Sequence, residues 1–167
     1  RRVRGAEISP LCTDWSNLSI SFLGQCGSFN QPIGLANLTK MQRGGGFLVG
    51  AYNFNSPIDV SNVSGLTPNF LRYCPSFNQP LNFGTLSYLG NSFMIDCFSF
   101  NQPLTLRGAS GGSLSLGNNF MFNCVGMASP ITLENIDASG TQSFYNMTNL
   151  PCINLSSTTT GGGTQFL

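Results

Sequence analysis

Apolar positions recur along this chain in a fixed order that repeats every two dozen residues. Phe22, Phe47, Phe70, Phe93, Phe120, Phe144 and Phe166 follow one another at intervals of 25, 23, 23, 27, 24 and 22 positions. Four residues after the first five stands a small residue, Cys26, Ala51, Cys74, Cys97 or Cys124. Three residues further on comes a large apolar one, Phe29, Phe54, Phe77, Phe100 or Met127, and then a proline, Pro32, Pro57, Pro80, Pro103 or Pro130. A short alternation follows each proline: Ile33-x-Leu35, Ile58-x-Val60, Leu81-x-Phe83, Leu104-x-Leu106 and Ile131-x-Leu133. Period-2 apolar spacing predicts a half-buried strand there. Further apolar marks at Leu38 and Met41, Val63 and Leu66, and Leu86 and Leu89 lead to Gly-containing turns such as Gly90-Asn91 and Gly117-Asn118. A period in the low twenties is the pattern of a solenoid, whose coils bury their apolar side only by stacking on their neighbours. The expected fold is a β-rich solenoid of about six coils of 22–27 residues, with a parallel sheet along one face.

Within each coil the residue types argue for packing. Eleven of the 14 phenylalanines fall in two columns, which predicts a stacked spine of Phe22, Phe47, Phe70, Phe93, Phe120, Phe144 and Phe166. Cysteine interchanges with alanine in the column Cys26, Ala51, Cys74, Cys97, Cys124, so that slot asks for a small buried residue. Free thiols are the expectation there, with a Cys74–Cys97 bridge between adjacent coils as the alternative and Cys12 and Cys152 outside the column. Asn30, Asn55, Asn78 and Asn101 recur directly after the second phenylalanine column. Stacked, they predict an internal hydrogen-bond ladder with one another or with the corner backbone.

Few chemistries fit the composition. Only 8% of the 167 residues are charged, the net charge is +1, and histidine is absent. Such a surface carries no footprint for nucleic acid, and no apolar run approaches a membrane span. Ser–His and Cys–His nucleophile arrangements have no histidine to use, and no C-x-x-C spacing suggests zinc. No metal, cofactor or catalytic residue is expected. An enzymatic reading would have to rest on carboxylates such as Glu134 and Asp137, with Ile136 turned inward between them. The better address for an interaction is the outward row of the sheet: Gly34, Asp59, Asn82, Thr105 and Thr132, flanked by Ser61, Arg107 and Glu134. Variable residues on a repeated scaffold make extended recognition surfaces, although the same row also reads as a plain solvated face.

The string Ser-Phe-Asn-Gln-Pro occurs at 28–32, 76–80 and 99–103, with the near-copy Asn-Phe-Asn-Ser-Pro at 53–57. The order Leu-Gly-x-x-Phe-Met-x-x-Cys-x-x-Phe from Leu89 to Phe100 resembles the leucine-rich repeats of the BspA or Treponema type. Ser-Phe-Asn-Gln-Pro-Leu is similar to the related surface-protein repeat first noted in mycoplasma lipoproteins. In that repeat an Ala-Ser-Ser-Phe-Asn-Gln-Pro-Leu segment precedes Trp-Asp-Val-Ser-Asn-Val; Asp59-Val60-Ser61-Asn62-Val63 matches its end, without the tryptophan. The resemblance covers about residues 22–150. Coil 97–124 departs from it by a four-residue expansion around Gly108–Ser113, and coil 124–148 lacks the Asn-Gln pair. The resemblance implies a leucine-rich-repeat solenoid that attaches to surfaces and binds protein or glycan, extracellular or displayed on a cell or virion surface, without enzymatic activity.

The expected organisation is an N-terminal segment and partial first coil at 1–21, the repeat solenoid at 22–155, and a Thr/Gly-rich partial last coil at 156–167. Phe166-Leu167 falls at a repeat boundary with no polar cap, so either more chain follows or another subunit covers the end. The alternative function is therefore structural. In that reading the chain is a subunit of a virion appendage, capsid decoration or extracellular filament that self-associates through its uncapped ends.

Overall fold

The computed structural model describes residues 22–35, 38–41, 44–111 and 114–156. Cys12, the segment 1–21, the Thr158–Thr160 run and the spine position Phe166 lie outside the described residues. The described residues form a parallel-stranded β-solenoid of about five turns without a helix. Its strands in chain order are β1 (Ile33–Gly34), β2 (Ile58–Asp59), β3 (Gly65–Leu66), β4 (Thr85–Leu86) and β5 (Tyr88–Leu89). Then follow β6 (Leu104–Gly108), β7 (Leu114–Ser115), β8 (Ile131–Glu134), β9 (Ile136–Asp137) and β10 (Ile153–Ser156).

The face after the prolines carries β1 beside β2 and, further along, β4, β6, β8 and β10 in spatial order, all parallel. Ile33 pairs with Ile58, and Leu104 pairs with Ile131, which pairs in turn with Ile153. A second face is built from β3 beside β5 and β7 beside β9. In the expanded coil Gly108 pairs with Leu86 on the first face, and pairing is taken up again at Leu114, opposite Ile136, on the second.

The third column is the phenylalanine corner. Phe22, Phe47, Phe70, Phe93 and Phe120 stack ring on ring at 5.7, 5.4, 5.5 and 4.9 Å, and Phe29, Phe54, Phe77 and Phe100 do so at 5.7, 5.7 and 6.0 Å. Each such pair contributes about 0.5–1.5 kcal/mol beyond simple burial. At the C-terminal side the register shifts by one. Phe144 donates its backbone N–H to Phe120, as Met121 does to Phe93 and Met94 to Phe70. Phe144 therefore falls in the Leu71, Met94, Met121 column and not in the spine. Buried Ser143 takes the spine slot, and the Phe120 and Phe144 rings meet edge-on at 68°.

This corner has a backbone that its sequence does not advertise. Alternate residues are left-handed: Asn69, Leu71 and Tyr73 in one coil, then Ser92, Met94 and Asp96, then Asn119, Met121 and Asn123, then Gln142, Phe144 and Asn146, with φ between 51° and 64°. A left-handed conformation costs an L-residue about 1–2 kcal/mol. Here it is offset by bonds to both neighbouring coils: the Asn69 N–H donates to Asn91 O at 2.9 Å, Leu71 to Phe47 O at 2.9 Å and Tyr73 to Ile95 O at 2.8 Å. The turn glycines serve another purpose. A Cβ on Gly117 would stand 2.7 Å from Gly90 O and one on Gly140 would stand 2.6 Å from Gly117 O, so glycine is needed there for close stacking.

Candidate binding face

Residues of the outward row project where period-2 alternation places them. Gly34 pairs with Asp59, Thr105 with Thr132, and Arg107 with Glu134, while their neighbours Ile33, Ile58, Leu104, Leu106, Ile131 and Leu133 are buried. Ser61 and Asn82 are exposed beside them. The face is not one continuous sheet, however. Leu81-x-Phe83, expected to be a strand, pairs with neither neighbouring coil, and pairing resumes only at Thr85, opposite Arg107. Phe83 supplies the physical reason. It is larger than Val60 and Leu106 in the same column, and its buried ring is wedged edge-on against Phe70 (6.4 Å) and Phe93 (6.1 Å). Thr85 lies opposite Arg107 and Phe83 lies 23 positions before Leu106, so coil three also holds one extra residue in this stretch.

Two clefts result, one on each side of the Asn82 segment. The first, of about 420 Å³, lies between Pro57–Ser61 and Gln79–Asn82; the second, of about 320 Å³, is lined by Leu81–Phe83, Pro103, Thr105 and Arg107. Their charges are opposite. In the first, Asp59 Oδ1 accepts hydrogen bonds from Ser61 Oγ (2.7 Å) and Ser61 N (3.1 Å), which hold its carboxyl below the usual range and keep it ionised. In the second, Arg107 Nε donates to Glu134 Oε2 at 2.8 Å in a pair whose side chains are 51% and 31% exposed. An exposed pair of this kind adds at most about 1 kcal/mol, so its effect is chiefly to orient the guanidinium. Glu134 is thus tied to Arg107, and Asp137 lies on β9 beyond the buried Ile136, on the other face.

The corner beside this face explains the repeated string. Asn30 Oδ1 accepts from Asn55 N, Asn55 Oδ1 from Asn78 N, Asn78 Oδ1 from Asn101 N and Asn101 Oδ1 from Ala128 N, each at 2.8 Å. Gln79 and Gln102 add donations to Asn55 and Asn78 at 3.2 Å. The asparagines are therefore a ladder from side chain to next-coil backbone. A second ladder, Asn91 Oδ1 to Asn118 N (3.0 Å) and Asn118 Oδ1 to Thr141 N (3.1 Å), crosses the Gly-Asn turns.

The small-residue column is also a donor column. The thiols of Cys74, Cys97 and Cys124 point at the carbonyls of Leu48 (2.9 Å), Leu71 (3.0 Å) and Met94 (2.8 Å) in the preceding coil. Those acceptors belong to the left-handed column, so cysteine combines small size with a proton for a carbonyl the sheet leaves over. Burial pushes the Cys74 thiol up to about 12; burial first, and then the adjoining Cys124 thiol, raises Cys97 as well. Cys26, Cys74, Cys97, Cys124 and Cys152 are all free. Among the described residues no group of three His, Cys, Asp or Glu is placed to hold a metal ion, and no helix is long and apolar enough to cross a membrane.

Residue-by-residue reading missed the aromatics on the opposite edge of the corner, Tyr52 and Phe98, which stand exposed directly after the small column. Their signal was present: Phe98 is one of the phenylalanines outside both columns. Compared with protein-family models, curated proteins and solved structures, the chain matches none of them.

Proposed function

We propose that this chain is a non-enzymatic recognition module that binds protein or glycan through its post-proline face, displayed extracellularly on a cell or virion surface. The observation that carries the reading is the pair of clefts flanking Asn82, one bearing Asp59 and the other Arg107. A plain solvated sheet would pair continuously from coil to coil; here a buried wedge opens backbone and side-chain groups to a ligand at a defined place. Rigid stacking supports the same reading, because a preorganised surface loses little freedom on binding. Resemblance of the Ser-Phe-Asn-Gln-Pro-Leu string to surface-protein repeats supports the location.

The test is binding of the labelled chain to glycan and cell-surface protein arrays, run beside Asp59→Lys, Asn82→Arg and Arg107→Glu variants of unchanged melting temperature. Specific hits lost in these variants are expected. Hits indifferent to all three variants would overturn the reading. Concentration-dependent filaments in light scattering, with no array hits, would put the structural-subunit alternative in its place.

A further inference from the structure

Three phenylalanines stand outside both recurring columns of the sequence, in addition to Phe144, which the register shift takes out of the spine. Phe83 wedges the sheet face open, and Phe122 stacks on Tyr145 at 5.1 Å. Phe98 is 45% exposed, follows Cys97 directly and packs on no other ring among the described residues. The equivalent residue after Ala51 is Tyr52, 56% exposed, and the one after Cys74 is Pro75. A short proline thus sits between two tall aromatic side chains. Tyr73 and Asp96, one residue before the small column, complete the lining of a cleft of about 260 Å³.

The chemistry of this cleft selects a cation. Its walls are aromatic, and ring faces carry negative quadrupole potential. Among the described residues Asp96 is the one formal charge in the lining. The carboxylate is positioned from the next coil: Oδ1 accepts Asn123 Nδ2 at 2.6 Å, and the Asp96 N–H donates to Phe122 O at 3.1 Å. A ring of this cleft already carries a cation: the Arg72 guanidinium lies 4.5 Å from the Tyr73 centroid and donates to its hydroxyl at 2.6 Å. Arg72 does not line the cleft. The spacing fits too. Tyr52 and Phe98 are two coils apart, about 10 Å at the sheet spacing, so a cation midway sits about 5 Å from each, within the reach of a cation–π contact.

We propose that this cleft is a binding site for an alkylammonium cation, seated between Tyr52 and Phe98 over Pro75 and paired with Asp96. Compact tetrahedral ammonium groups of the trimethylammonium or lysine class suit it. The site lies apart from the Asn82 clefts and stands or falls independently of them.

The experiment is aromatic-region NMR of the full chain titrated with tetramethylammonium chloride, with sodium chloride and the neutral isostere neopentyl alcohol as controls. Saturable shifts confined to Tyr52, Tyr73 and Phe98, absent with both controls, are expected. Asp96→Asn keeps an acceptor for Asn123 and should weaken binding about tenfold, while Phe98→Ala, at an exposed position, should abolish it. Asn82→Arg should leave the titration unchanged. Choline against Nε-trimethyl-lysine amide then tells a lipid-type head group from a protein side chain, and tighter binding of either supports the site. Equal shifts with neopentyl alcohol, an Asp96→Asn variant that binds as before, or methyl glucoside acting where tetramethylammonium does not would each overturn the proposal.

Discussion

Replacing Asn78 by alanine breaks the asparagine ladder in its middle. Two hydrogen bonds go at once: Asn78 Oδ1 to Asn101 N at 2.8 Å and to Gln102 Nε2 at 3.2 Å. Asn101 is exposed, so water takes over part of the abandoned N–H, and the backbone bond is worth about 1 kcal/mol and not the full cost of a buried orphan. The side-chain bond adds about 0.5 kcal/mol. A loss of about 1.5 kcal/mol follows, or roughly 3–6 °C in melting temperature for a chain of this size. Asn78→Asp keeps an acceptor facing Asn101 N and should lose less than about 0.5 kcal/mol at pH 7. Thermal and urea melts by circular dichroism measure both. If Asn78→Ala and Asn78→Asp melt together, or if alanine costs nothing, the ladder is a geometric coincidence and the recurrence of asparagine needs another cause.

Three further outcomes follow from the corner and the sheet face. Ser92 is left-handed at φ 64°, where coils three and five carry Asn69 and Asn119, so Ser92→Asn should stabilise by about 0.5 kcal/mol and Ser92→Val should destabilise by at least about 1 kcal/mol; equal melts for the two would contradict the left-handed assignment. Cys74, Cys97 and Cys124 should resist iodoacetamide at pH 8 in the folded chain while exposed Cys152 reacts, as read by peptide mass spectrometry. Because the folded Cys74 thiol titrates at about 12 against about 8.5 when unfolded, its contribution is intact below about pH 8.5 and is lost as the pH rises towards 12. Asp59 behaves in the opposite sense: its carboxyl is depressed by Ser61, so the stability it contributes is present above about pH 4 and lost on acidification. Carbon-detected NMR titration should find the Asp59 transition moved upward by Ser61→Ala, which keeps the backbone donor, and an unmoved transition would remove the Ser61 hydroxyl as its main cause.

Legible along the chain alone were the period, the stacking of phenylalanines into two columns, the corner at each proline and the inward or outward sense of Ile33, Ile58, Leu104 and Ile131. All of these repeat, and a contact made between every pair of coils writes the same residue type at the same interval. The asparagine column was legible for the same reason, down to its being a ladder, though spacing left open whether each side chain meets the next asparagine or the corner backbone, and the structure gives the backbone of the next coil. Tertiary structure alone decided what does not repeat. Phe83 differs from its column mates by one ring, and only packing against Phe70 and Phe93 shows that this separates three coils into two clefts. The shift that puts Ser143 in the spine and Phe144 beside it depends on which coil's carbonyl each N–H meets, and spacing alone does not record that. Left-handed Leu71, Met94 and Met121 carry no local mark of handedness, since glycine is absent there and the conformation is held by hydrogen bonds to neighbouring coils. Repetition is written in composition along the chain; the breaks in it, where the candidate sites lie, are written in the fit of one coil against the next.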